Sequence, residues 1–238
     1  MIFRQLFDYD TWTYTYLLAD ETNRDAVIID PVVEKMPLYT QLFKELDVKL
    51  THAIDTHVHA DHVTALGTLR ETFGAKAVHG AASTASGIDK LLEDGEELVF
   101  GSQRLKGIAT PGHTDDSFSY LLSANGRDMV FTGDTLLIRG SGRTDFQNGD
   151  AGTQYDSIHD RLLTLAEDTI VYPGHDYRGM TESRIGEEKR FNPRLQVANK
   201  QEYIELMDNL DLPNPKFMDV AVPANLEAGY SYATEYHI

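Results

Sequence analysis

Residues Thr56 to His62 read Thr-His-Val-His-Ala-Asp-His, directly after Leu50–Asp55, a short apolar run that reads as a strand. Three imidazoles and a carboxylate within six residues constrain the fold more than any other stretch of the chain. Such groups lose hydration when buried, and each needs a partner to offset the cost. One divalent cation partners several of them at once, so the segment reads first as a metal site. His57 and His59, two apart, point to the same face if the strand continues that far. Asp61 stands where a helix N-cap belongs, and His62 opens the first turn.

The flanking pattern places this segment in a layered α/β fold. Tyr14–Leu18 and Ala26–Ile29 are rich in β-formers and read as the first strands of a sheet. Met36–Leu46 has helical spacing, with Tyr39, Leu42, Phe43 and Leu46 on one face and Pro37 tolerated in the first turn. Val63–Phe73 reads as a second helix and Lys76–His79 as a further strand. The alternation of strands and helices favours α/β layers. From Glu97 the pattern shifts to short strands, Leu98–Phe100, Arg104–Ala109, Phe118–Leu122 and Met129–Phe131, punctuated by Gly101, Pro111-Gly112 and Asn125-Gly126. Tyr155–Leu165 is expected to be helical, Thr169–Tyr172 a strand, and Glu182–Arg190 and Gln201–Leu210 helices. The tail from Asp211 shows no clear period.

Composition excludes several classes. At 238 residues and 41% hydrophobic, the chain fits one domain over residues 1–238 with a short C-terminal extension and a sizeable core. No apolar stretch is long enough to span a bilayer. The N-terminus resembles neither a secretory signal nor a transit sequence. The formal charge, 21 − 38 = −17, argues against nucleic acid or an anionic membrane surface as a partner. The absence of cysteine removes disulfides, thiolate-held metals and a cysteine nucleophile, and agrees with a cytoplasmic location.

Other polar residues recur at strand ends. Thr110-Pro-Gly-His113 and Tyr172-Pro-Gly-His175 each follow a strand and turn sharply, an internal echo that suggests two related sheet halves meeting over a shared site. Asp134 follows Phe131-Thr-Gly133 in the same manner. The candidates are therefore His57, His59, Asp61, His62, His113, Asp134 and His175, all where sheet enzymes place their chemistry. His52, His79, His159 and His237 lack such a context and are expected to serve ordinary surface or core roles.

Four signatures in order, His57-Val-His59-Ala-Asp61-His62, Gly112-His113-Thr114, Gly133-Asp134 and Gly174-His175, resemble the metallo-β-lactamase superfamily. The resemblance implies an αββα sandwich with a metal at one edge of its two sheets. Within that superfamily, Leu136-Leu-Ile-Arg139-Gly-Ser-Gly-Arg143-Thr-Asp-Phe146, Tyr172-Pro-Gly-His175-Asp-Tyr177-Arg-Gly179, Asn192-Pro-Arg194-Leu195 and Val222-Pro-Ala-Asn225 are similar to the persulfide dioxygenases. This likeness runs from about Phe3 to Gly229.

The family resemblance implies one Fe(II) per chain held by His57, His113 and Asp134, and oxidation of glutathione persulfide by O2 and water to sulfite and glutathione. A two-histidine, one-carboxylate face leaves open coordination positions, although nitrogen and oxygen donors accept iron, zinc or manganese alike, with zinc the alternative. His59, Asp61, His62 and His175 bind a second metal in related hydrolases. In the dioxygenases they are expected to orient the ligands and the open face. Glutathione carries two carboxylates, and the resemblance places Thr114, Arg143, Tyr177 and Arg194 around it. Competing readings pair Arg143 with Asp145 or Asp150 and Arg194 with a glutamate, and make Tyr177 a packed aromatic. Arg139 stays outside the expected site. A homodimer is what the family suggests. The alternative function is a glyoxalase-II-like thioester hydrolase with two metals and a bridging hydroxide. Against it, the chain after His175 is short for that family's helical extension.

Overall fold

The structure is a computed structural model that describes residues 1–213, 215 and 217–232; His237 lies outside the described residues. The first sheet orders β1 (Ile2–Asp8), β2 (Thr13–Ala19), β3 (Asp25–Ile29), β4 (Lys49–Ile54), β5 (Lys76–Gly80) and β6 (Lys90–Leu92) side by side. Its first three strands run antiparallel and the rest parallel. The second sheet runs β12-β11-β10-β9-β8-β7, built from β7 (Glu97–Phe100), β8 (Gln103–Ala109), β9 (Phe118–Ala124), β10 (Arg127–Gly133), β11 (Ile170–Pro173) and β12 (Ser183–Arg184).

The alternation of side chains along β2 shows how the layers form. Tyr14, Tyr16 and Leu18 point into a core shared with Leu105, Tyr120, Leu122 and Phe131 of the second sheet. Leu17 and Ala19 point the other way, toward Tyr39 and Phe43 of α1 (Met36–Glu45) and Leu66 and Leu69 of α2 (Leu66–Phe73). On the far side of the second sheet, Val130 and Val171 pack against α3 (Ala151–Asp156), α4 (Ile185–Phe191) and α5 (Lys200–Asp208). With both faces of both sheets covered, the result is the expected αββα sandwich. Among the described residues, no helix is long and apolar enough to cross a membrane.

Several boundaries differ from expectation, each for a tertiary reason. Residues 63–65 are not helical, because Val63 and Ala65 pair with the Pro31–Val33 backbone instead. The third helix starts at Ala151, ahead of the expected Tyr155, since Asp150 caps it by accepting from the Thr153 N–H at 2.6 Å. A π-helical turn, Ser157–Leu162, completes it. Ser183 and Arg184 pair with β11 as a strand before α4 begins. The tail holds a helix the sequence hid, α6 (Met218–Asn225), whose period is obscured by Pro223 and by small residues. The two Pro-Gly-His turns follow β8 and β11, both in the second sheet, so they are not two related sheet halves.

His52 on β4 gives a stability prediction. Burial first, then Lys76 and Lys90, lower its pKa from 6.5 to about 4. The unfolded chain therefore takes up this proton first, so the contribution is complete above pH 6.5 and is lost as pH falls toward 4. Thermal melts at about pH 7.5 and pH 5 should show His52→Gln losing less stability on acidification than the native chain. Equal losses would remove His52 from the acid response.

Candidate active site

The rim where β4, β8, β10 and β11 end gathers the polar residues into one cluster. His57, His113 and Asp134 offer ligand atoms within 4.8 Å of one another, and so do His59, Asp61 and His62. The local geometry is not the extended one expected. β4 stops at Ile54, so His57 and His59 sit on an irregular loop, with their rings 4.2 Å apart. Asp61 is not an N-cap, because α2 begins at Leu66 behind Ala65. It accepts instead from Thr13 (3.0 Å), His62 Nδ1 (2.9 Å) and His175 Nε2 (3.0 Å).

Hydrogen bonds behind the rings fix which nitrogen faces the site. The His113 Nδ1–H donates to the Arg143 carbonyl at 2.6 Å, which leaves Nε2 with a free lone pair. The Thr56 hydroxyl donates its only proton to Asp30 at 3.0 Å, so His57 Nδ1–H must donate to Thr56 Oγ1 at 2.9 Å and His57 Nε2 is free. His59 Nε2–H donates to Asp30 Oδ1 at 3.1 Å. His59 Nδ1 and His62 Nε2 are then buried with no hydrogen-bond partner among the described residues. The free Nε2 lone pairs of His57 and His113 beside the Asp134 carboxylate fit a divalent cation, and the orphaned nitrogens of His59 and His62 beside Asp61 mark a neighbouring set of metal-type donors.

Electrostatics sort the remaining members. Burial, with the rings of His59 and His113 adding to it, holds His57 well below its ordinary pKa, which keeps it neutral and able to donate a lone pair. Burial pushes the Asp134 carboxyl up, but the charge and hydrogen bond of His175 outweigh it and hold the group ionised. His175 spends both ring nitrogens on carboxylates, Nδ1 on Asp134 (2.7 Å) and Nε2 on Asp61 (3.0 Å). Those two charges overcome its burial and raise its pKa well above the ordinary value. The third acidic grouping, Asp30, Asp55 and His59, lies beneath the rim as a buried network.

The cluster opens into a cavity of about 1080 Å³ walled in part by Trp12, Arg139, Arg143, Tyr177, Arg178 and Arg194, a size that suits a small ligand. Of the four residues expected around glutathione, the structure brings Arg143, Tyr177 and Arg194 to this wall and not Thr114. Thr114 is buried, and its hydroxyl donates to Asp116 at 2.7 Å. Arg143 is gripped by Asp145 through two bonds of 2.6 and 2.7 Å, the competing reading made on sequence. Tyr177 is well exposed, with its ring parallel to His175. Arg194 has Met207 Sδ at 3.0 Å and no carboxylate partner among the described residues. Of the histidines set aside, His79 is buried between Asp55 and Asp116, and His159 stacks on Tyr155.

Sequence reasoning missed the residues that hold the cluster from behind. Asp30 ends β3 as Ile-Asp-Pro, a strand-end carboxylate like Asp134, and that likeness was a usable signal. Thr13 touches Asp61, His62 and His175, and nothing in its local sequence marks it. Asn225 donates to the carbonyls of His59 (2.9 Å) and His62 (2.8 Å), which gives the Val222-Pro-Ala-Asn225 segment its place in the site.

Comparisons with known proteins point the same way. The family described as the metallo-beta-lactamase superfamily matches residues 12–175. The human protein named persulfide dioxygenase ETHE1, mitochondrial, is 46% identical over 98% of this chain and 91% of its own length. The solved structure of ETHE1 from Myxococcus xanthus is 54% identical and superposes with a TM-score of 0.92, covering 96% of this chain and all of that one. A probable hydroxyacylglutathione hydrolase of Schizosaccharomyces pombe is 31% identical over 87% of this chain and 90% of its own length.

Proposed function

This chain belongs to the metallo-β-lactamase superfamily and, within it, to the persulfide dioxygenases, and on that premise we propose that it oxidises glutathione persulfide at one Fe(II) held by His57, His113 and Asp134. It is a metal-binding dioxygenase. The likeness to the human enzyme over 98% of the chain carries the reading. The open face of the two-histidine, one-carboxylate group supports the choice of iron. The overall reaction joins the persulfide, O2 and water to give glutathione, sulfite and two protons, with the sulfur–sulfur bond broken and the terminal sulfur oxidised by four electrons as O2 is reduced. When bound, Fe(II) supplies the redox chemistry that lets O2 react with a closed-shell sulfur compound.

The protein's own groups orient and exclude. The Arg143 carbonyl and the Thr56 hydroxyl lock His113 and His57 in the tautomers that present Nε2. His175 holds a proton at both nitrogens, which aligns Asp134 through Oδ1 and leaves Oδ2 turned toward His113 at 3.7 Å. Through its two ring nitrogens His175 ties Asp134 to Asp61, so the carboxylate of the proposed iron set and that of the neighbouring His59, Asp61 and His62 group are held by one ring. His59, Asp61 and His62 then act on the ligands and open face from beside the metal.

One observation favours the alternative. The unpartnered Nε2 of His62 could serve a second metal, as a thioester hydrolase with a bridging hydroxide requires. Anaerobic purification with metal analysis, followed by oxygen uptake with glutathione persulfide, separates the readings. The expected result is about one iron per chain and substrate-dependent uptake. Two zinc ions, thioester hydrolysis and no uptake would overturn it. The same reading treats residues 1–238 as one cytoplasmic domain with a short C-terminal extension that pairs as a homodimer; light scattering at the monomer mass would remove the dimer.

A further inference from the structure

The cavity arginines differ in what they already hold. Arg139 is matched by Glu187 and Glu188, and Arg143 by Asp145. Arg178 and Arg194 line the same cavity, and among the described residues neither has a carboxylate within ion-pair distance. Arg178 is exposed, and its Nη2 donates to the carbonyls of Ile138 at 2.9 Å and Arg139 at 3.5 Å. Its other guanidinium donors have no partner among the described residues. Its backbone is fixed as well, because buried Asp176 accepts from the N–H groups of Arg178 at 2.7 Å and Met180 at 2.8 Å. Arg194 is half-buried, and that burial lowers its pKa.

In a chain of net charge −17, two unmatched guanidiniums on one cavity wall call for anions. We propose that Arg178 is a substrate-binding residue and that Arg178 and Arg194 each grip one of the two carboxylates of glutathione. The proposal rests on the glutathione reading above and deepens it. The site selects a thiol carrier with two carboxylates, and Arg143, neutralised by Asp145, contributes its carbonyl to His113 instead of its charge to the substrate. A planar fork already held at one nitrogen loses little freedom on binding, and a charge-assisted pair of this kind is worth about tenfold in affinity.

Trp12, the single tryptophan of the chain, lines this cavity, so its emission reports ligand entry without turnover. Reduced glutathione titrated into the native protein and into Arg178→Gln and Arg194→Gln should show each variant binding about tenfold more weakly, with the KM for glutathione persulfide rising by a similar factor. Arg161→Gln, which disturbs only an exposed pair with Asp94 outside this cavity, should bind as the native protein does. With glutathione ethyl ester, whose glycine carboxylate is blocked, one of the two cavity variants should bind as well as the native chain. The proposal is overturned if Arg178→Gln binds glutathione within about twofold of the native protein. It is also overturned if both variants weaken the ester as much as glutathione. A native protein that binds glutathione through Arg178 yet takes up no O2 with the persulfide would refute the dioxygenase reading and leave this site standing.

Discussion

Asp134→Ala should fold, fail to retain metal through purification, and consume O2 with glutathione persulfide on the order of 10³-fold more slowly than the native chain. Among the described residues, Asp134 is the only carboxylate grouped with His57 and His113. It is delivered by β10 through Gly133, whose φ of +50° and close approach to Thr56 leave no room for a side chain. Removing it strips the anion from the donor set and leaves the buried, raised-pKa His175 with Asp61 alone. Breaking such a buried pair costs about 3–5 kcal/mol, which corresponds to about 10²–10⁴ in an equilibrium constant. Asp134→Asn keeps the shape without the charge, so it should also release metal while melting closer to the native chain. Metal analysis, oxygen uptake and circular dichroism decide the matter. A folded alanine variant with a full complement of metal would remove Asp134 from the ligand set.

The sequence exposed what is local and periodic. Strands such as β2 and β3, rich in aromatic and branched residues, and the strand-end positions of His113, Asp134 and His175 could be read without coordinates, because pattern and turn residues lie within a few positions of each other. Contacts closed across the chain could not. Asn225 reaches His59 over 166 positions, and Thr13 reaches His175 over 162. Neither residue carries a local mark of that role. Arg143 shows the same limit on a shorter scale. Its spacing to Asp145 left pairing and substrate binding both open, and the two bonds to that carboxylate show the pairing, which no local pattern could. The loop holding His57 and His59 departs from the strand register because bonds from Asp30, Asp116 and Asn225 to its backbone replace those of a sheet neighbour.

Asp30→Ala should be the most damaging change outside the ligands themselves. Asp30 is 1% exposed and holds a left-handed backbone, φ +51°, between β3 and Pro31. Its N–H donates to the Ile54 carbonyl at 2.8 Å, and its own carbonyl accepts from Thr15 at 2.7 Å, so the residue is tied to both neighbouring strands. Its carboxylate accepts from the Thr56 N–H (2.7 Å), the Thr56 hydroxyl (3.0 Å) and His59 Nε2 (3.1 Å). One side chain thus sets His57 through Thr56 and His59 directly. Deleting it strands several buried donors, each costing about 1–3 kcal/mol, so a total loss of about 3–5 kcal/mol is expected in urea unfolding. Metal affinity should fall by about 10–100-fold, the range for losing a partner that orients metal ligands. Asp30→Asn separates the two effects. An amide oxygen in the Oδ1 position still accepts from the Thr56 N–H and His59, but the amide nitrogen in the Oδ2 position can no longer accept from the Thr56 hydroxyl, so the group that sets His57 is disturbed and metal affinity should fall while stability is partly kept. A variant that unfolds more easily yet binds metal as the native chain does would make Asp30 a support of the fold alone.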